Sequence, residues 1–261
     1  MIFKKVTKMK AANKILKKFS FSLFVIFTFN NFAFGSSLKD FSHEIFNDLL
    51  NKNVSNGLVN YNGFKSQKFE EYLRSISEAD LSGLNKNEKL AFWINSYNAL
   101  AIKNVLNNPG MKSPIKVEGF FKEDKFEVAG KMLTLDQIEN EVIRPEFKEP
   151  LIHFGIVCAA KGCPQIRSEA YNSKNVIEML KENAKKYFRS DKGFILNREN
   201  KTVMVSQLLN WFDEDFKIEG KDSLKFVLLY LRKDDADFII KNKEKLKIEF
   251  IEYDWSLNSQ N

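Results

Sequence analysis

Apolar residues recur at helical spacing in several separate stretches of this chain. Phe41, Ile45, Leu49 and Leu50 form one stripe over Phe41 to Leu50, and Phe69, Tyr72, Leu73 and Ile76 form another over Lys65 to Ile76. The longest such stretch, Lys86 to Leu106, carries Leu90, Trp93, Tyr97 and Leu100 on one face and ends at Asn108-Pro109-Gly110. Asn95 and Asn98 stand three apart within it, on a neighbouring face. Inside so apolar a helix they must find hydrogen-bond partners, either in loop backbone or as the polar wall of a site.

Other stretches read as strands or mark turns. Gly57 to Tyr61 is a short extended segment, and Lys125 to Leu133 predicts a hairpin turning at Ala129-Gly130. Thr134 is a suitable N-cap for a helix over Leu135 to Ile143, whose Glu139 is expected to pair with Arg144. Ile152 to Val157 is a continuous apolar run and reads as a buried central strand. A helix follows over Ser173 to Tyr187, with Val176, Ile177, Leu180 and Ala184 inward. Phe194 to Leu196 and Thr202 to Val205 predict a second hairpin, and Ser206 caps a short helix ending at Trp211-Phe212. Helices over Leu224 to Leu231 and Ala236 to Lys243 precede a closing strand, Lys247 to Tyr253. Regular alternation of strand and helix is missing, so the expected fold is α+β: a single domain with a small mixed or antiparallel sheet packed against several helices.

The first 35 residues change the charge picture. Seven lysines from Lys4 to Lys18, without one acid, precede the apolar run Phe19 to Phe29, and Ala33-Phe34-Gly35 offers small residues for cleavage before Ser36. This is the pattern of a cleaved secretory signal, which leaves one domain over 36–261, no integral membrane span, and a periplasmic or secreted protein. The whole chain has 41 basic and 34 acidic residues, a formal +7. The seven leader lysines account for all of that excess. The remainder is close to neutral, so no basic field attracts nucleic acid. The expected partner is a small molecule or peptide.

Candidate chemistry concentrates in Leu151 to Pro164, LIHFGIVCAAKGCP, which holds His153 and both cysteines, Cys158 and Cys163. Three readings stay open. In an exported chain the cysteines suggest a disulfide, with Gly162 easing the turn. Alternatively Cys158 is a nucleophile acting on an amide or thioester, with His153 as base, Glu139 or Asn95 orienting it, and the 159–162 amides as oxyanion hole. On a regular strand, however, His153 and Cys158 would point to opposite faces, about 16 Å apart. Zinc on His153, Cys158 and Cys163 meets the same objection and lacks a fourth ligand, so no metal or cofactor is expected. Asp213-Glu214-Asp215 reads as a solvated acidic corner, and His43 as an exposed helical histidine.

GLVNY, FWINSYNAL, LTLDQIENEVIR, IHFGIVCAAKGCP, WFDEDF and YDWSLN together resemble the domain of unknown function 547 family, in order, over roughly Phe41 to Asn258. The resemblance implies a fold unit and marks Trp93, Asn95, Asn98, Glu139, His153, Cys158, Cys163 and Pro164 as motif positions; it implies no established reaction. Trp93, Asn98 and Cys163 are the expected substrate-side residues. Asn140 departs from the family, which often has histidine there, and so removes a possible acid–base group. The competing functions are a cysteine-dependent hydrolase or transferase and a non-catalytic envelope module with a Cys158–Cys163 bridge.

Overall fold

The computed structural model describes residues 40–217 and 222–260, all within a single compact unit. The expected signal peptide, 1–35, lies outside the described residues. Helices α1 (Glu44–Asn53) and α2 (Gln67–Ser77) flank a two-residue pairing of β1 (Val54–Ser55) with β2 (Leu58–Val59). Helix α3 (Lys86–Asn107) starts at an Asn85–Glu88 capping box and is buried at nearly every position from Leu90 to Val105. An apolar surface on all sides is what a helix surrounded by the rest of the fold requires.

Strands β3 (Lys125–Val128) and β4 (Lys131–Thr134) form the expected hairpin. Its turn residues, Ala129 and Gly130, both take positive φ, the two-residue turn that matches strand twist. Thr134 caps the following segment as expected, with its hydroxyl accepting from the Gln137 amide at 3.1 Å. That segment runs through α4 (Leu135–Gln137), a π-helical stretch (Ile138–Ile143) and α5 (Arg144–Phe147). At the end of the π stretch the Arg144 N–H donates to the Glu139 carbonyl, five residues back. Pro145 follows, with no N–H to continue an ordinary ladder.

The central strand expected over Ile152 to Val157 is not formed. Pro150–Phe154 is a 3-10 helix, with Pro150 at its start and the Glu149 carboxylate accepting from the Leu151 amide. A short apolar run does not distinguish strand from buried helix. Here Asn98 decides it: its amide donates to the Gly155 carbonyl at 2.8 Å and accepts from the Val157 amide at 2.9 Å, taking groups a sheet would have paired. Asn95 grips the Tyr171 backbone in the same two-way fashion.

Helix α6 (Val176–Phe188) leads to β5 (Phe194–Asn197) and β6 (Thr202–Val205), an antiparallel hairpin. Short helices α7 (Leu208–Trp211), α8 (Asp213–Phe216) and α9 (Leu224–Leu228) and the longer α10 (Lys233–Asn242) follow. Strand β7 (Lys247–Phe250) pairs in parallel with β6, so the three-stranded sheet is mixed. The fold is α+β. Among the described residues no helix is long and apolar enough to cross a membrane.

Candidate functional site

Cys158 and Cys163 form a disulfide, with Cα atoms 6.3 Å apart. The C-terminal segment holds this loop in place. The Lys161 amide donates to the Ser256 carbonyl, the Gly162 amide to that of Asp254, and the Asn258 amide to that of Ala159. Two of the four amides expected to form an oxyanion hole are therefore occupied. The Tyr253 hydroxyl donates to Cys163 Sγ at 3.1 Å.

The bridge lines one side of a pocket of about 230 Å³. Asp136, Glu139 and Asn140, at helical spacing, line another side. His153 and Tyr97 also reach it, and Phe121, Phe212, Trp211, Tyr253 and Trp255 supply aromatic wall. Tyr253, Trp255 and Trp211 touch one another, with ring centroids 4.7 to 5.7 Å apart. His153 thus shares a cavity with both cysteines, because the 3-10 turn removes the alternation that would have set them on opposite faces.

His153 is 1 % exposed in its side chain and stacks on Phe212 at 4.1 Å. Its Nε2 lies 2.8 Å from Asp215 Oδ2, and its Nδ1 faces Glu139 Oε1 at 3.8 Å. Asp215 also takes a two-pronged contact from Arg144, at 2.6 and 3.0 Å. Burial raises the Asp215 carboxyl, and hydrogen bonds from His153 and Arg144 more than reverse this, holding it below the ordinary carboxylate range. An ionised Asp215 accepts, so Nε2 carries the imidazole proton. Burial lowers the His153 pKa against the pull of Asp215, leaving the ring neutral with a lone pair on Nδ1 toward Glu139.

Glu139 behaves differently. Burial pushes its carboxyl up to about 7, aided by the charges of Asp136 and Asp215 and opposed by Arg144 and a Tyr97 hydrogen bond. The expected Glu139–Arg144 ion pair is replaced by Arg144–Asp215, because Arg144 turns its remaining prong to Asn140 Oδ1 at 2.7 Å. The supposed solvated acidic corner is corrected too: Asp215 is the partner of both His153 and Arg144.

Of the eight expected motif positions, Glu139, His153, Cys158, Cys163 and Pro164 come together at the pocket. Asn95, Asn98 and Trp93 do not line it. Asn95 cannot orient His153 while its amide is committed to Tyr171, and Asn98 is committed to Gly155 and Val157. Trp93 is buried in the core. With the sulfurs joined to each other, neither thiolate is present for zinc, and among the described residues no group of three His, Cys, Asp or Glu is placed to hold a metal. His43 is half-buried rather than exposed, its Nδ1 2.7 Å from the Tyr72 hydroxyl. Asp215, Tyr253, Trp211 and Trp255 were not singled out from sequence as site residues, although WFDEDF and YDWSLN contain them.

Fold and site define an α+β domain whose aromatic pocket is lined by a disulfide and by partly buried acids. Residues 81–188 match the model of the family described as "Protein of unknown function, DUF547", which bears out the resemblance read from the motifs. That stretch holds α3, Glu139, His153 and both cysteines but ends before Asp215, Trp211 and Tyr253. No curated protein and no solved structure matches the chain.

Proposed function

We propose that this is an exported ligand-binding module, with the aromatic pocket as its site and the Cys158–Cys163 bridge as a fixed element of the wall. The observation that carries this reading is the closed bridge lining the pocket. Bridges of this kind persist in oxidising compartments, in keeping with the leader pattern. A preformed, mostly apolar concavity with few convergent polar groups is the usual form of a small-molecule site. With the Lys161 and Gly162 amides bonded to the C-terminal segment, two of the four oxyanion donors a thiol mechanism would use are committed elsewhere.

A second reading has one observation in its favour: Cys158, His153 and Glu139 line the same pocket. On reduction, Cys158 becomes the candidate nucleophile for an amide or thioester bond. Intact mass after alkylation of the purified protein without reductant separates the two. The module predicts no label until reductant is added. Two labelled cysteines in the native protein overturn it and favour the thiol enzyme.

A further inference from the structure

The pocket's charge and ring chemistry narrow the class of ligand, granted the binding-module reading. Glu139 is 16 % exposed in its side chain, and among the described residues no lysine or arginine lies within ion-pair distance of it. Its near neighbours are the neutral His153 ring and the Tyr97 hydroxyl. The nearby guanidinium of Arg144 is spent on Asp215 and Asn140. Of the charged residues lining the pocket, Asp136 and Glu139 face Lys122 alone, so the cavity lacks one positive charge when Glu139 is ionised. The same pocket is lined by the cluster of Tyr253, Trp211 and Trp255, with Trp211 45 % exposed. Aromatic faces beside an acid attract cations through the ring quadrupole, most strongly where water is excluded. Phe212 already shows this chemistry, with the Arg144 guanidinium 5.0 Å over its ring.

We propose that the pocket binds an organic ammonium ion, its alkyl groups against Tyr253, Trp211 and Trp255 and its charge beside Glu139. Such a ligand supplies the missing cation without having to bury a strongly hydrated metal. Binding then favours the Glu139 carboxylate, so a protonated Glu139 releases its proton to solvent as the cation enters. The other groups around it are Asp136 on the same turn, Tyr97 from α3, Arg144 and Asp215, which are bonded to each other, and Tyr253 and Lys122 in the pocket lining. Burial keeps Tyr97 and Tyr253 protonated and His153 neutral. Glu139 is the buried group that changes charge near neutrality.

The test is tryptophan fluorescence titration of the intact oxidised protein with choline and with its uncharged isostere, 3,3-dimethyl-1-butanol. Choline should bind at least ~10-fold more tightly at pH 8, and the preference should fall toward parity as the pH drops below 7 and Glu139 protonates. Glu139→Gln should reduce the preference and remove its pH dependence, while the wild-type pH profile reports independently of any folding defect. Equal binding of the two probes, or choline affinity unchanged from pH 5 to pH 8, overturns the cation inference and leaves the binding module standing. Absence of binding by either probe overturns the cation inference, and labelled thiols in the oxidised preparation would remove the module reading separately.

Discussion

At the scale of single residues, Glu139 and Asp215 show how position sets the state of a carboxyl. Both sit close to His153 and Arg144, but Arg144 and the imidazole N–H spend their hydrogen bonds on Asp215. Glu139 is left largely buried, with the charge of Arg144 nearby but no ion pair to it. Its carboxyl titrates near 7 in the fold and, unfolded, near its ordinary 4.5. The folded state therefore holds this proton more tightly, and stability falls as pH rises from 4.5 to 7, then levels off. Each pKa unit corresponds to about 1.4 kcal/mol, an upper bound for a group reached by pocket water. Glu139→Gln should thus gain about 1–3 kcal/mol on wild type between pH 4.5 and pH 8 in urea unfolding. A constant difference between the two proteins over that range would contradict the burial cost. Asp215→Asn acts oppositely: it strands the Arg144 charge and should cost about 2–3 kcal/mol at neutral pH by the same measurement.

At the scale of elements, α3 works as a post to which loops are tied. Asn98→Ala removes the partners of the Gly155 carbonyl and the Val157 amide together, both in the buried stretch before Cys158. The expected loss is about 2–4 kcal/mol, since two buried backbone groups lose their bonds. Asn51→Ala, on the exposed face of α1, should change stability by less than about 0.5 kcal/mol. Equal effects would show that the α3 asparagines are not structural ties. The same residues mark how far the sequence could be read. Capping by Asn85 and Thr134, the Ala129-Gly130 turn and the helices were legible because their causes lie within a few residues. The 150–157 segment was not, because its conformation depends on Asn98, more than fifty residues earlier. Glu139, His153 and the cysteines can be named as candidates from their chemistry, but their gathering cannot be read, because a strand over 152–157 would have set His153 and Cys158 apart. The role of Asp215 was hidden because an acidic run on a short helix looks solvated until its tertiary partners are known.

At the scale of the whole molecule, the C-terminal segment joins parts that are far apart in sequence. Asn258 accepts from the Tyr61 hydroxyl with its side chain, and its carbonyl accepts from the Val59 amide. Its own amide donates to Ala159, next to Cys158. The Leu257 amide reaches Lys112, and the Gln260 side chain reaches Asn53 and Leu58. One segment therefore ties the N-terminal helices, the end of α3 and the disulfide loop to the wall made by Tyr253 and Trp255. The bridge closes only a short loop, so its entropic contribution is about 2 kcal/mol. Replacing both cysteines by serine should lower Tm by roughly 4–8 °C and keep the fold, because those C-terminal bonds remain. Ending the chain after Tyr253 should do far more, removing the partners of Val59, Lys161 and Gly162 together and taking Trp255 from the pocket. Amide hydrogen exchange distinguishes the two variants. In the serine pair, protection of Val59 and Lys161 should persist; in the shortened chain it should be lost at both, although they lie about a hundred residues apart. If loss stayed confined to 158–163 in the shortened chain, the segment would be an ornament of the cysteine loop rather than the tie that holds the pocket to the rest of the fold.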